Sequence, residues 1–273
     1  MAELTGQVAI VTGGGRGIGR AIALALAAAG AAVTVTARSA DQLGETAAAI
    51  TAAGGRALVL PADVTDRQAV EGVVSETEQQ LGPVTLLVNN AGIITPFGPV
   101  WEVDPEAWRR CMDTNVYGTF LCSRAVLPGM IARREGRIVN LAGSDPAQKA
   151  VPMATCYDGS KAVILRLSEG LAAETREYGV SVFSLMPGGV HTAMVDELVR
   201  SPWMLKLNPA VGDFDRYWRT PPERAAALCV LIASGRADAL SGRFLSVHDD
   251  LEELVRNSEE ICKEDRYVLR LKT

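Results

Sequence analysis

The chain is short of the features that mark several functional classes. It has no excess of basic residues: 27 Lys and Arg stand against 32 Asp and Glu, a net charge of −5. Neutralising nucleic-acid phosphates needs clustered cations, so nucleic acid is excluded as the main partner. Aromatics make up only 5% of the 273 residues, against 48% apolar residues in all, so the core must be aliphatic. The five cysteines (Cys111, Cys122, Cys156, Cys229, Cys262) form no C-x-x-C pair, and the only histidines are His191 and His248. A metal site is therefore not expected, and reduced thiols in a cytoplasm are. The uncharged run Ala21 to Ala37 is seventeen residues long and broken by Gly30, too short to span a membrane. Glu3 followed by the strand-like "VAIVTG" gives no charged leader or cleavage site, and no signal peptide is expected.

What is present is rhythm. The apolar runs "QVAIVTG", "AAVTVTA", "RALVLPA", "TLLVNNAG", "GRIVNLAG", "VSVFSLMPGG" and "GRFLSV" alternate with helical patterns near 17–29, 40–53, 66–81, 105–133, 157–178 and 221–234. Continuous hydrophobic strands that alternate with helices read as a parallel sheet covered on both faces. The expected fold is α/β, a Rossmann-type doubly wound sheet of seven strands in one domain, residues 1–248. Two segments break the rhythm. Residues 193–220, with Pro202, Pro209 and Gly212, read as an irregular substrate lid. Residues 249–273 read as a charged, helical C-terminal extension, with Asp249 or Asp250 as its N-cap and Glu252 and Glu253 in its first turn. Ligands of doubly wound sheets bind outside the carboxyl ends of the strands.

The first strand runs into Gly13-Gly14-Gly15-Arg16-Gly17-Ile18-Gly19, which opens a helix. Glycines there let the backbone turn sharply and approach a pyrophosphate held on the helix N-terminus. No Lys-Ser or Lys-Thr follows them, which argues against a mononucleotide P-loop. Tyr157 and Lys161 stand four residues apart on one helical face. A phenol with pKa near 10 becomes an effective acid–base group only if neighbours lower it, and three units would take about 4 kcal/mol. Beyond the second strand, Ala37 is followed by Arg38, with no carboxylate at the place where an acid usually binds the adenosine ribose 2′-hydroxyl. Arg38 and Arg16 instead suit the two-pronged pairing of a 2′-phosphate, which points to NADP(H).

Six motifs in order resemble the short-chain dehydrogenase/reductase family. They are Thr12-Gly13-x-x-x-Gly17-x-Gly19, Asp63 after the third strand, Asn89-Asn90-Ala91-Gly92 after the fourth, Asn115, Tyr157-x-x-x-Lys161, and Pro187 to Thr192 after the sixth. The resemblance covers about residues 5–248. It implies reversible hydride transfer between a nicotinamide cofactor and a ketone or aldehyde and the corresponding alcohol, with Tyr157 as proton donor or acceptor. Lys161 would bind the nicotinamide ribose, and Asn115 would support a relay water. The cofactor would lie against Gly13, Gly15, Arg16, Gly17, Ile18, Gly19, Arg38, Asp63, Val64, Asn89, Ala91, Gly92, Pro187, Gly188, Val190 and Thr192. The family also implies a homodimer or homotetramer, formed through the helices at 105–133 and 157–178.

The family's substrate-orienting serine lies thirteen residues before the tyrosine, which selects Ser144. It also lies three after the strand's asparagine, which selects Gly143. The counts differ by one; Ser144 is the expected residue, reached either directly or from the neighbouring position. Asp145 places a carboxylate at the pocket edge, where it binds a substrate hydroxyl or amine or faces solvent. Trp101, Trp203 and Met204, together with Phe214, Tyr217 and Trp218, suggest an apolar wall and a hydrophobic or cyclic carbonyl substrate; Tyr217 and Trp218 suit a subunit contact equally. Reductases of the family that act on acyl carrier protein have arginines at the positions of Arg134 and Tyr178. Only the first is met, so that activity is the alternative reading. A non-catalytic nucleotide-binding protein is a further one.

Overall fold

The computed structural model describes residues 3–143 and 150–271. The chain alternates strand and helix from the start: β1 (Val8–Thr12), α1 (Gly17–Ala28), β2 (Ala32–Thr36), α2 (Ala40–Ala52), β3 (Arg56–Val59), α3 (Arg67–Gln80) and β4 (Leu86–Asn89). After β4 a long loop leads to α4 (Pro105–Met112), which runs through a π-helical turn at Asp113–Tyr117 into α5 (Gly118–Arg133). Then follow β5 (Gly136–Leu141), α6 (Thr155–Thr175) and β6 (Val180–Met186). The last part holds α7 (Ala193–Arg200), α8 (Pro202–Leu207), α9 (Phe214–Tyr217), α10 (Pro222–Ala233), β7 (Phe244–Ser246), α11 (Leu251–Arg256) and α12 (Ser258–Lys263).

All seven strands pair in parallel in the order β3-β2-β1-β4-β5-β6-β7. The order reverses between β1 and β4, and that switch opens a crevice at their carboxyl ends. Every residue of β1, β2 and β4 is buried, as continuous apolar runs require when helices cover both faces. One core layer joins Val11, Val33, Val35, Val88, Val139 and Phe183 to Ile22 and Leu26 of α1 and Leu228 and Ile232 of α10. The opposite layer joins Ile10, Leu87, Ile138 and Val182 to Val70 and Val74 of α3 and Leu121 and Val126 of α5. The expected doubly wound, single-domain α/β fold is the one observed.

Two expectations on local structure need correction. Residues 193–220 are not irregular: they fold into α7, α8, a 3₁₀ turn at Pro209–Gly212 and α9. The residues taken as breakers are starters. Pro202 stands in the first turn of α8 behind the Ser201 cap, and Asn208 and Asp213 cap the next two turns with their side chains. The expected single helix over 105–133 is interrupted by the π-helical turn, which hydrophobic periodicity alone does not reveal.

The tail is helical, in two pieces, and Asp250 caps α11 through the Glu253 amide. Asp249 instead accepts from the Ser246 amide at 2.8 Å. Beyond α12 the chain passes beside β7, where Phe244 N–H donates to the Tyr267 carbonyl at 2.9 Å. Arg270 pairs there with Glu169 of α6 (2.7 Å) and with Asp265 (2.6 Å). Leu254 and Ile261 are buried in the core layer that contains α10. No helix among the described residues is long and apolar enough to cross a membrane.

Candidate active site

At the carboxyl end of β1 the chain turns through Gly13 (φ +65°) and Gly17 (φ +55°), left-handed conformations that favour glycine. A side chain at Gly19 would strike the Gly13 backbone, which is how α1 packs so close to β1. The N-cap of α1, Arg16, makes no side-chain capping bond, so the first-turn N–H groups have no side-chain acceptor. Thr192 lies against Gly17, its methyl 3.2 Å from where a Cβ would be.

The loop after β4 is clamped to the end of β1. The Thr12 hydroxyl accepts from the Asn90 and Ala91 amides, each at 3.0 Å, and Asn90 Nδ2 donates to Thr12 O at 2.9 Å. Asn90 was not singled out in the sequence, although it stands inside the "NNAG" motif. Asn89, expected at the ribose, is buried; its Nδ2 donates to Asn140 Oδ1 at 2.8 Å and to Ser123 Oγ at 3.2 Å, bracing β4 against β5 and α5. The exposed guanidiniums of Arg16 and Arg38 form no ion pair among the described residues. Asp63 is raised by partial burial, but hydrogen bonds from the Thr65 amide and hydroxyl, with the charge of Arg38, bring its carboxyl below the ordinary value. Val64 is buried, with Gly118 packed on it. A left-handed glycine turn, an uncapped helix start and two arginines without an ion pair among the described residues are a donor set that fits a dinucleotide phosphate backbone.

The first turns of α6 bring Tyr157 and Lys161 to the same crevice. Lys161 Nζ donates to Leu141 O at 2.7 Å and lies 5.6 Å from the centre of the Tyr157 ring. Burial lowers its pKa to about 8, an effect partly opposed by Cys111. Burial also pushes the Tyr157 phenol above its usual value, reinforced by Cys111 and Asp158. The expected lowering of the phenol by the neighbouring ammonium is thus outweighed by desolvation in the protein itself. At neutral pH the hydroxyl is protonated, the form that donates.

Asn115 sits in the π-helical turn and is fully engaged. Its Oδ1 accepts from Ile93 N, and its Nδ2 donates to Ile93 O and Ser160 Oγ, all at 2.9 Å. It therefore joins the loop after β4 to α6 one turn from Tyr157. Nearby, the buried Cys111 thiol donates to the Ile93 carbonyl at 3.6 Å and the Cys156 thiol to the Pro96 carbonyl at 3.5 Å; the interaction between the two thiols raises Cys111 and lowers Cys156.

Ser144 and Asp145 lie outside the described residues. Gly143 does not: a Cβ on it would collide with the Tyr157 hydroxyl. The position three after Asn140 therefore approaches the phenol oxygen closely, and a side chain there would have to displace the Tyr157 hydroxyl.

Over this end of the sheet lies a cavity of about 300 Å³, lined by Tyr157, Gly143 and Ile18, by Pro187, Gly188, Val190 and Thr192, and by Ile94, Phe97, Met194, Leu198, Met204 and Trp218. Met204 and Trp218 thus reach the wall, as their apolar character suggested. Trp101 does not line it: its side chain is 80% exposed. Trp203 packs near Gly98 with the Lys206 ammonium 5.7 Å from its ring, also outside the lining. Phe214 and Tyr217 are exposed, the former against His191. The sequence reading missed Asp158, the one charged residue among the described lining; its only signal was an acid directly after the tyrosine. Among the described residues no group of three His, Cys, Asp or Glu is placed to hold a metal.

Comparison with known proteins places this geometry. The model of the short chain dehydrogenase family matches residues 7–203. A short chain dehydrogenase of Pseudocercospora fijiensis is 35% identical over 94% of this chain and 85% of its own length. The 2,5-dichloro-2,5-cyclohexadiene-1,4-diol dehydrogenase of Sphingobium indicum is 35% identical over 90% of this chain and 97% of its own. The solved structure of a Sinorhizobium meliloti 1021 protein, itself assigned as a short-chain alcohol dehydrogenase, superposes with a TM-score of 0.79 at 33% identity, over 89% of this chain and 95% of that one.

Proposed function

Because the chain belongs to the short-chain dehydrogenase family and so is an oxidoreductase that uses a nicotinamide cofactor, we propose that it interconverts an apolar or cyclic ketone or aldehyde and its alcohol with NADP(H). The observation that carries this reading is the Tyr157 hydroxyl at the floor of an apolar cavity, with Lys161 behind it and Gly143 beside it. When bound, the nicotinamide supplies or accepts the hydride.

The residues of this chain supply the rest. Tyr157, protonated at neutral pH, gives its proton to the developing alkoxide of a carbonyl; in the reverse direction its oxygen takes the alcohol proton. Lys161, held at Leu141 O, would bind the nicotinamide ribose and favours the phenolate once the proton has left. Ser144 supplies the hydroxyl that orients the substrate oxygen, the role that Gly143 cannot fill. Arg16 and Arg38 select the 2′-phosphate of NADP(H), and Ile94, Phe97, Met194, Leu198 and Met204 exclude water around the ring of the substrate. Tyr117 of the π-helical turn, Phe120 of α5 and Val163 of α6, all exposed apolar residues, serve a homodimer or homotetramer contact.

The test is oxidation of NADPH and of NADH by the purified protein with cyclic, aryl and β-keto ester carbonyls. Turnover is expected with NADPH, and Tyr157→Phe should lose about 10²–10⁴-fold in kcat, as removal of a positioned proton donor does. Arg38→Asp should shift the preference toward NADH. Equal use of the two cofactors by the wild type would refute the NADP(H) assignment, and undiminished turnover by Tyr157→Phe would refute the proton role.

A further inference from the structure

We propose that Asp158 is a specificity residue of this site: its carboxylate accepts a hydrogen bond from a second donor on the substrate, a hydroxyl or ammonium next to the reacting carbon, and disfavours anionic substrates. This rests on the oxidoreductase reading above and narrows its substrate class.

Three observations carry it. Asp158 follows Tyr157 directly in the first turn of α6, and both line the same cavity. A group held at Asp158 is therefore a neighbour of the group that meets the phenol. Second, the carboxylate is oriented: its Oδ2 accepts from Val151 N at 3.4 Å, which ties it to the turn that leads into α6. Third, it carries no ion pair among the described residues, and the described wall around it is made of apolar side chains and backbone, with Ile94, Phe97, Val151, Met194, Leu198 and Trp218 prominent. A half-buried carboxylate in such a wall keeps its hydrogen-bonding capacity only if water or a ligand meets it. A ligand that displaces the water without a donor leaves the carboxylate unsatisfied, and discrimination of this kind is steep. Its charge already reaches the neighbouring phenol, where it works with burial against ionisation. Acids in the first turn of a helix also favour the helix dipole, but that role needs no cavity and makes no distinction between substrates.

The experiment compares three alcohols on one ring, cyclohexanol, 1,2-cyclohexanediol and 2-aminocyclohexanol, with 2-hydroxycyclohexanecarboxylate as the anionic probe. Each is oxidised with NADP⁺ by the wild type, Asp158→Asn and Asp158→Leu, after thermal melts establish that all three proteins are folded. The wild type should favour the diol and the amino alcohol over cyclohexanol by about ten- to a hundredfold in kcat/KM, the range of a hydrogen bond to a charged group. Asp158→Leu should bring the diol-to-cyclohexanol ratio close to one. Asp158→Asn, still an acceptor, should keep the diol preference and lose that for the amine, which separates the two donors. A diol-to-cyclohexanol ratio unchanged in Asp158→Leu would overturn the proposal. If no alcohol is oxidised, the cyclic-alcohol reading fails on its own, and Asp158 is judged by binding. Quenching of bound NADPH fluorescence then gives the affinities of the same alcohols. A ranking that collapses in Asp158→Leu supports the role, and a ranking that is absent or survives the substitution refutes it.

Discussion

Lys161 stores a pH signature that the whole protein should display. Burial lowers its folded-state pKa to about 8 from the ordinary 10.5. Between those values the unfolded chain keeps a proton that the native protein has released, so stability from this group rises with pH across that window. Below it both states are charged and the penalty of burial is fully present. Tyr157 acts in the other direction, but only above its ordinary 10, where the unfolded phenol ionises first. Urea melts of the wild type and Lys161→Met from about pH 8 to about pH 10 should therefore show the difference moving in favour of the wild type. A constant difference would mean that the ammonium is hydrated. Of these residues, Tyr157, Lys161 and the glycine loop were legible in the sequence because their spacing alone brings them together. Gly143 was legible only as an ambiguity of count, since its close approach to the phenol depends on how β5 meets α6. Trp101 was misplaced because aromatic character says nothing about which side of a loop faces the cavity.

Among the elements, the π-helical turn at Asp113–Tyr117 is the one periodicity could not supply, and Asn115 gives it a purpose. The extra residue in that turn aims an amide at both backbone groups of Ile93 and at Ser160, holding three segments in one place. Asn115→Leu removes all three bonds and strands the Ile93 N–H, while the Ile93 carbonyl keeps only the weak Cys111 thiol donor. At about 1–3 kcal/mol for a buried group left unpaired and about 1 kcal/mol for each other bond lost, a loss of roughly 2–5 kcal/mol is expected in urea denaturation. Turnover should fall as well, because Ser160 and Tyr157 share a helix. A variant as stable as the wild type would show that the turn holds itself. The strands and the long helices were legible for the opposite reason: their burial on both faces writes itself as unbroken apolar runs. The short helices α7 to α9 were not, because proline and asparagine signal both an interruption and a start, and only the neighbouring caps decide between them.

For the molecule as a whole, the tail contributes more through burial and backbone than through its ion pairs. Arg270 is half exposed, and its pairs with Glu169 and Asp265 are surface pairs of the kind that contribute about 0–1 kcal/mol. Arg270→Ala should leave the melting temperature nearly unchanged. Removal of residues 251–273 takes Leu254 and Ile261 out of the core layer, uncovers what they pack against, and deprives Arg243, 8% exposed, of its contacts with Asp265 and the Cys262 carbonyl. That change should lower the melting temperature by many degrees, at roughly 2–4 °C per kcal/mol in a protein of this size. Scanning calorimetry of the two variants separates the contributions, and sedimentation of the truncated protein shows whether the uncovered surface recruits further copies.

The position of Tyr267 and Asp249 has one more consequence. The outward-facing amides of the last strand, Phe244 and Ser246, are both taken within the chain. A foreign strand arriving at that margin finds no free donor to dock on, so template-driven aggregation is blocked on that flank. The opposite margin is β3, only four residues long and headed by the exposed Arg56, so its defence is brevity and charge instead of cover. Aggregates formed by a partly opened chain should therefore grow from the β7 flank once the tail has come away, and a proteolytic cut between α12 and Tyr267 would be the event that exposes it.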